Sequence, residues 1–256
     1  MKTIEQAILD IRGFDFKSAS QKEIEEVLPT FGLNNEELDE FPKIFEQYFG
    51  WGVRFWQYPN QFSKLLSFLK DKDINSYFEI GVRWGGTFII INELLLKYNP
   101  ILESHALDFM PISDVLDLYK KNYRNNNFWY HQMESQSPFL FQSIEGGDNF
   151  IPNKKFDLIF IDGCHSYQCI KRDYFSSLMF GPKYIIFHDI VNVKTRGAQI
   201  AWAEIKKNHK KTYEFIDQYD NINGKYLGIG VVEVTKEDSI FPMFKPHFHN
   251  LFDWGF

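Results

Sequence analysis

The chain has 256 residues, 44% hydrophobic and 24% charged, with a formal net charge of −6. That usage is ordinary for a globular protein long enough to build its own core, and it excludes a disordered, collagen-like or miniprotein reading. The acidic balance argues against a nucleic-acid partner, which calls for a basic face, and the two cysteines, Cys164 and Cys169, form neither a CxxC pair nor a disulfide framework, which fits a reducing compartment.

In chain order, the opening MKTIEQAILDIRGFDF carries acids where a signal peptide needs an unbroken apolar stretch. The longest apolar run, FIIINELLL, contains Asn92 and Glu93 and is too short to span a bilayer. The expectation is a cytoplasmic protein with no transmembrane segment. Residues 1–70 read as helical and irregular: IEQAILDI, KEIEEVL and EELDEFPKIFEQYF space apolar residues at the helical period, and Pro29, Pro42 and Pro59 punctuate them. From Ser76 the pattern changes. Strands are expected over 76–82, 104–109, 128–133, 156–163, 183–190, 213–218 and 226–234. Helices are expected near 86–97, 113–122, 138–144, 167–179 and 198–209. Runs such as LIFI and YIIF are apolar throughout, as in strands buried on both faces. Strand–helix alternation predicts a parallel sheet covered by helices on both sides. The last two strands follow each other without a helix and predict an antiparallel pair at one edge. The expected fold is therefore α/β, a Rossmann-like seven-stranded, mostly parallel sheet with its last strand antiparallel. A helical extension (1–70) would act as a cap or an oligomerisation surface, 71–235 would form the main domain, and 236–256 is an aromatic tail whose His247 and His249 read as surface residues.

In open α/β sheets ligands bind beyond the carboxyl ends of the strands. The first strand runs into FEIGVRWGGT, which offers Glu79, Gly81, Gly85 and Gly86. Glycines there permit a tight turn and close approach of a ligand. The spacing is GxxxGG rather than the dinucleotide fingerprint GxGxxG. The second strand, HALDF, ends in Asp108, about 20 residues on, where an acid takes ribose hydroxyls because a carboxylate accepts two hydrogen bonds from a vicinal diol. Together these point to an adenosine-type ligand. The fourth strand ends in FIDGCHSY, giving Asp162, His165 and Tyr167, and the fifth in IIFHDI, giving His188 and Asp189. Adjacent parallel strands would bring both ends to one rim. Carboxylates suit a hard cation, and an imidazole suits a general base.

FEIGVRWGGT, ALDF, DLIFIDGCHSYQCIKRDY and YIIFHDI together resemble the class I S-adenosylmethionine-dependent methyltransferases. More narrowly they resemble the branch of macrocin-type sugar O-methyltransferases and cephalosporin-hydroxylase-like proteins, over about residues 75–235. The resemblance implies S-adenosylmethionine as cofactor, with Glu79, Gly81 and Gly85 at its methionine end and Asp108 at its ribose. It implies a divalent metal, magnesium or manganese, on Asp162 and Asp189, with His165 as general base. In sugar methyltransferases of this branch the residue before that last Asp is often acidic. Here it is His188, a donor better suited to transition metals than to magnesium, and it counts as a ligand or an orienter. The implied activity is metal-assisted O-methylation of a small polar acceptor: a sugar, a glycoside or a surface-polysaccharide precursor. Two other classes stay open. One is an oxidoreductase or other nucleotide-dependent enzyme, against which the missing GxGxxG counts. The other is a non-catalytic partner protein on the same fold, against which the intact Asp162, His165 and Asp189 count. The stretch FGWGVRFWQYPNQF, with Trp51, Arg54, Trp56, Gln57 and Tyr58, reads equally as a cover over the acceptor, as packing, or as a homo-oligomer surface.

Overall fold

The computed structural model describes residues 1–122, 127–137, 140 and 154–235. The helix expected over 138–144, apart from Leu140, and the tail 236–256 with His247 and His249 lie outside the described residues. Seven strands form one sheet: β1 (Ser76–Ile80), β2 (Glu103–Asp108), β3 (Phe128–Gln132), β4 (Leu158–Ile161), β5 (Tyr184–Phe187), β6 (Lys211–Phe215) and β7 (Ile229–Glu233). Their order is β3-β2-β1-β4-β5-β7-β6. The first five run parallel, and β7 is antiparallel to both β5 and β6. The chain builds outward from β1 to β3, then returns to β4 on the other side of β1. The order therefore reverses between β1 and β4, which is where such sheets bind ligands.

The helices are α1 (Ile4–Gly13), α2 (Gln21–Val27), α3 (Pro59–Leu69), α4 (Gly86–Leu96), α5 (Asp114–Lys121), α6 (Tyr167–Met179) and α7 (Arg196–Ile205). Every residue of α4 is buried, which accounts for the all-round apolar FIIINELLL: one side lies on the sheet and the N-terminal segment covers the rest. The two charged members of that contact pair: Arg12 Nε of α1 donates to Glu93 Oε1 at 2.8 Å, with Glu93 only 1% exposed. Ala7, Ile11, Phe31, Phe55 and Phe62 share one apolar core with Tyr77, Phe88 and Leu94. No helix among the described residues is long and apolar enough to cross a membrane.

One helical expectation gives way. EELDEFPKIFEQYF forms two short 3-10 turns, Leu38–Glu40 and Lys43–Tyr48, and no α-helix. Pro42 disfavours helical backbone in the residue before it, and Phe41 is extended (φ −108°, ψ 142°). The apolar residues at helical spacing instead stack as rings, Phe41 edge-on to Phe49 and Tyr58, and Phe45 edge-on to Tyr219.

At the β2–β3 edge two buried imidazoles face each other, His105 Nδ1 and His131 Nε2 at 2.9 Å. Burial pushes the His131 pKa down to about 4. The folded ring is neutral where the unfolded ring, near 6.5, has already taken a proton, so the unfolded state binds more protons and stability falls as pH drops through that window. The His131 contribution alone should fall by about 2 kcal/mol between pH 7 and pH 5, read as the change in the wild-type minus His131→Leu difference in urea stability at the two pH values. A difference that is the same at both pH values would contradict the assignment.

Candidate functional site

The turn after β1 is shaped by close packing. Gly81 has φ +86°, and a Cβ there would lie 2.4 Å from the Asp162 carbonyl oxygen and 2.4 Å from Gly163 Cα. The backbone of β1 thus touches the chain leaving β4 directly. Gly85 caps α4 in the left-handed region, where a Cβ would meet Leu116 of α5 at 2.2 Å. A Cβ on Gly86 would meet the backbone of Val53 and Phe55 at 2.5 Å. Between them the Arg83 N–H donates to Asp108 Oδ2 at 2.8 Å, and the Met110 N–H donates to Asp108 Oδ1 at 3.0 Å. Asp108 therefore ties the glycine turn to the end of β2. Each carboxylate oxygen still has acceptor capacity.

Two cavities flank this turn. The first, about 460 Å³, is lined by Leu107, Asp108, Phe109, Met133, Gln136 and Cys169. The second, about 500 Å³, is lined by Glu79, Gly85, Trp56, His165, His188 and Asp189. Gly81, Arg83, Asp162 and Gly163 belong to both. Glu79 is buried, and burial holds its carboxyl well above the usual range, while the Tyr77 hydroxyl donates to its Oε2.

Asp162, His165, His188 and Asp189 converge on the second cavity. In an extended strand His188 and Asp189 would point to opposite faces. Asp189 instead takes φ +61°, a left-handed turn that Asp tolerates better than most side chains and that often marks functional sites. His188 Nδ1 lies 2.8 Å from Asp162 Oδ1 and 3.6 Å from Asp189 Oδ1. His165 Nδ1 lies 3.1 Å from Asp189 Oδ2, and its Nε2 lies 3.5 Å from Asp162 Oδ1. Asp189 Oδ1 also accepts from Asn192 Nδ2 at 3.0 Å. Burial opposes charge on His188, but Asp162 and Asp189 outweigh it and push its pKa up to about 9. Burial likewise works against the Asp162 carboxylate, and the two imidazoles hold it below the usual range. His165 is raised, its burial outweighed by the same carboxylates.

The donor set fits a cation. The 2.8 Å approach of His188 Nδ1 to Asp162 Oδ1 is not a hydrogen bond, because the oxygen lies off the ring N–H direction. Nε2 of His188 and Nε2 of His165 are buried without a partner as well. Two ligands bound at about 2.1 Å to one ion stand about 3 Å apart without bonding to each other. Donor atoms of Asp162, His165 and His188 all lie within 4.8 Å of one another, a group that does not include Asp189. An imidazole beside a carboxylate, as in His188 and Asp162, suits a transition metal better than magnesium.

Sequence reasoning placed these strand-end residues, and the structure brings them together. It did not single out Glu36, Glu37, Glu40 and Lys194, which also line the second cavity. The Arg83 guanidinium donates to both carboxylate oxygens of Glu36 at 2.7 and 2.8 Å, and Lys194 Nζ lies 3.1–3.3 Å from Glu37, Asp39 and Glu40. The Glu40 carboxyl is pushed up to about 8, mainly by burial and by neighbouring Glu37, against Lys194. The acid run NNEELDE was the available signal. Asp173, in the same DLIFIDGCHSYQCIKRDY stretch, is buried inside α6 with its carboxyl pushed up to about 6 by desolvation, and it lines neither cavity.

No protein-family model and no curated protein sequence matches the chain. Among solved structures, the O-methyltransferase TomG from Streptomyces achromogenes, in complex with S-adenosylmethionine, matches with a TM-score of 0.51 and 10% identity, over 92% of this chain and 100% of its own. An O-methyltransferase from Bacillus cereus has a TM-score of 0.47 at 16% identity, covering 69% of this chain and 81% of its own. At such identities the likeness concerns the fold: the chain has the Rossmann-like fold of class I methyltransferases.

Proposed function

We propose that the chain is an S-adenosylmethionine-dependent O-methyltransferase, metal-assisted, acting on a small polar acceptor such as a sugar, glycoside or surface-polysaccharide precursor in the cytoplasm. The observation that carries this reading is the pair of cavities meeting at Gly81 and Asp162–Gly163. One holds the acid suited to a ribose, and the other holds the carboxylate–imidazole cluster.

The residues fit the cofactor. Asp108 keeps lone pairs for ribose hydroxyls, Leu107, Phe109 and Met133 offer apolar surface for a base, and Glu79, Gly81 and Gly85 line the second cavity, to which this reading assigns the methionine end. S-adenosylmethionine supplies a methyl group already activated on a sulfonium, so the protein has to position the acceptor and ready its hydroxyl. A divalent cation supplies Lewis acidity that makes a hydroxyl easier to deprotonate. In this reading Asp162 and His188 hold it, and manganese supports turnover better than magnesium. His165 takes the acceptor's proton at Nε2, while Asp189, 3.1 Å from Nδ1, orients the ring. Asp189 thereby acts as an orienter rather than as the direct ligand the resemblance implies.

Residues 1–70 would serve as the cap. Phe31, Phe41, Phe45, Phe55 and Tyr58 are buried inside the chain, which leaves those rings little to offer a second copy. Arg54 crosses the rim, its guanidinium 4.2 Å from the Trp84 ring and ion-paired with Asp114.

Asp108→Ala removes hydrogen bonds to a charged group, worth about 1.5–3 kcal/mol. Calorimetric affinity for S-adenosylhomocysteine should fall about tenfold to a hundredfold. Unchanged affinity in the folded variant would remove Asp108 from the cofactor site.

A further inference from the structure

We propose that Gln57, contributed by the N-terminal segment, is a positioning residue that holds the Asp162 carboxylate in its cation-binding orientation. The inference rests on the reading that Asp162 and His188 share a cation.

The two oxygens of Asp162 have separate surroundings. Oδ1 faces His188 Nδ1 and His165 Nε2, and Oδ2 accepts from Gln57 Nε2 at 3.3 Å. A carboxylate tied at one oxygen cannot turn freely about its terminal torsion, so Oδ1 stays on the side of the imidazoles. Partners that orient a ligating carboxylate in this way govern metal affinity.

The backbone that presents Gln57 is fixed on both sides. Upstream, Val53 N–H donates to Phe31 O at 2.9 Å, Phe55 N–H donates to Gly32 O at 3.1 Å, and Asn34 N–H donates to Phe55 O at 3.0 Å. Downstream, Tyr58 caps α3 and Pro59 opens it. The strap also lies directly on Gly86, where even a methyl group would collide with Val53 and Phe55.

Packing alone does not explain a glutamine here. Gln57 is fully buried, and its Oε1 has no hydrogen-bond partner. A buried acceptor left unpaired is unfavourable, and an apolar side chain of the same shape would avoid that cost. What the glutamine provides and an isostere would lack is the N–H aimed at Asp162. The same contact joins residues 1–70 to the reaction centre: the strap that covers the cavity also sets one of its ligands.

Gln57→Met keeps length and volume while deleting the donor; Gln57→Leu serves as a second donor-free variant. Each is titrated with Mn²⁺ in the presence of S-adenosylhomocysteine, alongside calorimetry of S-adenosylhomocysteine and thermal unfolding. The expected result is Mn²⁺ affinity lowered about 10–100-fold, with unchanged S-adenosylhomocysteine affinity in protein that still unfolds cooperatively. A purely structural glutamine would give the reverse, a lower midpoint with wild-type Mn²⁺ affinity, and would overturn the inference. Wild-type protein that takes up no Mn²⁺ would overturn the cation reading and this inference with it. Wild-type uptake with undiminished uptake in both variants would overturn this inference alone.

Discussion

His165→Ala should lower kcat by about 10²–10⁴-fold, the usual contribution of a positioned acid–base group, and should leave the dissociation constant of S-adenosylhomocysteine unchanged. The ring reaches the rim from the loop after β4, and its side chain is 36% exposed, so its removal costs little packing. Its Nδ1 stands 3.1 Å from Asp189 Oδ2, which turns Nε2 toward the cavity side shared with Asp162. His165→Gln keeps a hydrogen-bonding group but cannot accept the proton, so it should be nearly as slow. Steady-state rates and calorimetry on the same preparations decide the matter. A variant that turns over normally but unfolds more easily would make His165 a packing residue and move the search for the base to His188.

Gly81→Ala should be the most disruptive single methyl group in the site. Its Cβ would fall 2.4 Å from the Asp162 carbonyl and from Gly163 Cα, both backbone atoms that cannot swing aside. Overpacking of that kind costs about 1–3 kcal/mol, and the left-handed backbone adds about 1–2 kcal/mol. Gly181 is the control: its φ is +59°, yet a Cβ there meets nothing within 4 Å. Gly181→Ala should therefore cost only the backbone part, about 1–2 kcal/mol. Denaturant midpoints for the two variants should differ accordingly, and Gly81→Ala should also weaken cofactor binding by parting β1 from the chain leaving β4. Equal, small losses at both positions would contradict the close contact.

The strands were legible because their side chains obey one local rule. LIFI and YIIF are apolar at every position, and they pair parallel, Ile159 with Ile185 and Ile161 with Phe187. Once those two strands are neighbours, Asp162 and His188 have to share a rim. The glycines were legible as a turn, but not for the reasons that fix them. Gly85 answers to Leu116 of α5, and Gly86 to Val53 and Phe55, contacts between segments far apart in sequence. EELDEFPKIFEQYF misled because a helical spacing of apolar residues is equally served by a ring cluster around extended chain and 3-10 turns. The left-handed turn at Asp189 left no signature, since Asp occupies many conformations. Gln57 was visible only as one polar residue in an aromatic stretch. Its role depends on where an irregular strap crosses the sheet, which no periodicity encodes.

Calorimetric titration of the wild-type protein with S-adenosylhomocysteine and, separately, with NAD tests the central claim most directly. The pair of cavities around Gly81, with Asp108 beneath one and the Asp162–His188 cluster in the other, predicts saturable one-to-one binding of S-adenosylhomocysteine and no binding of NAD. Binding of NAD in its place would contradict the methyltransferase reading and turn Asp108 into the ribose partner of a dinucleotide.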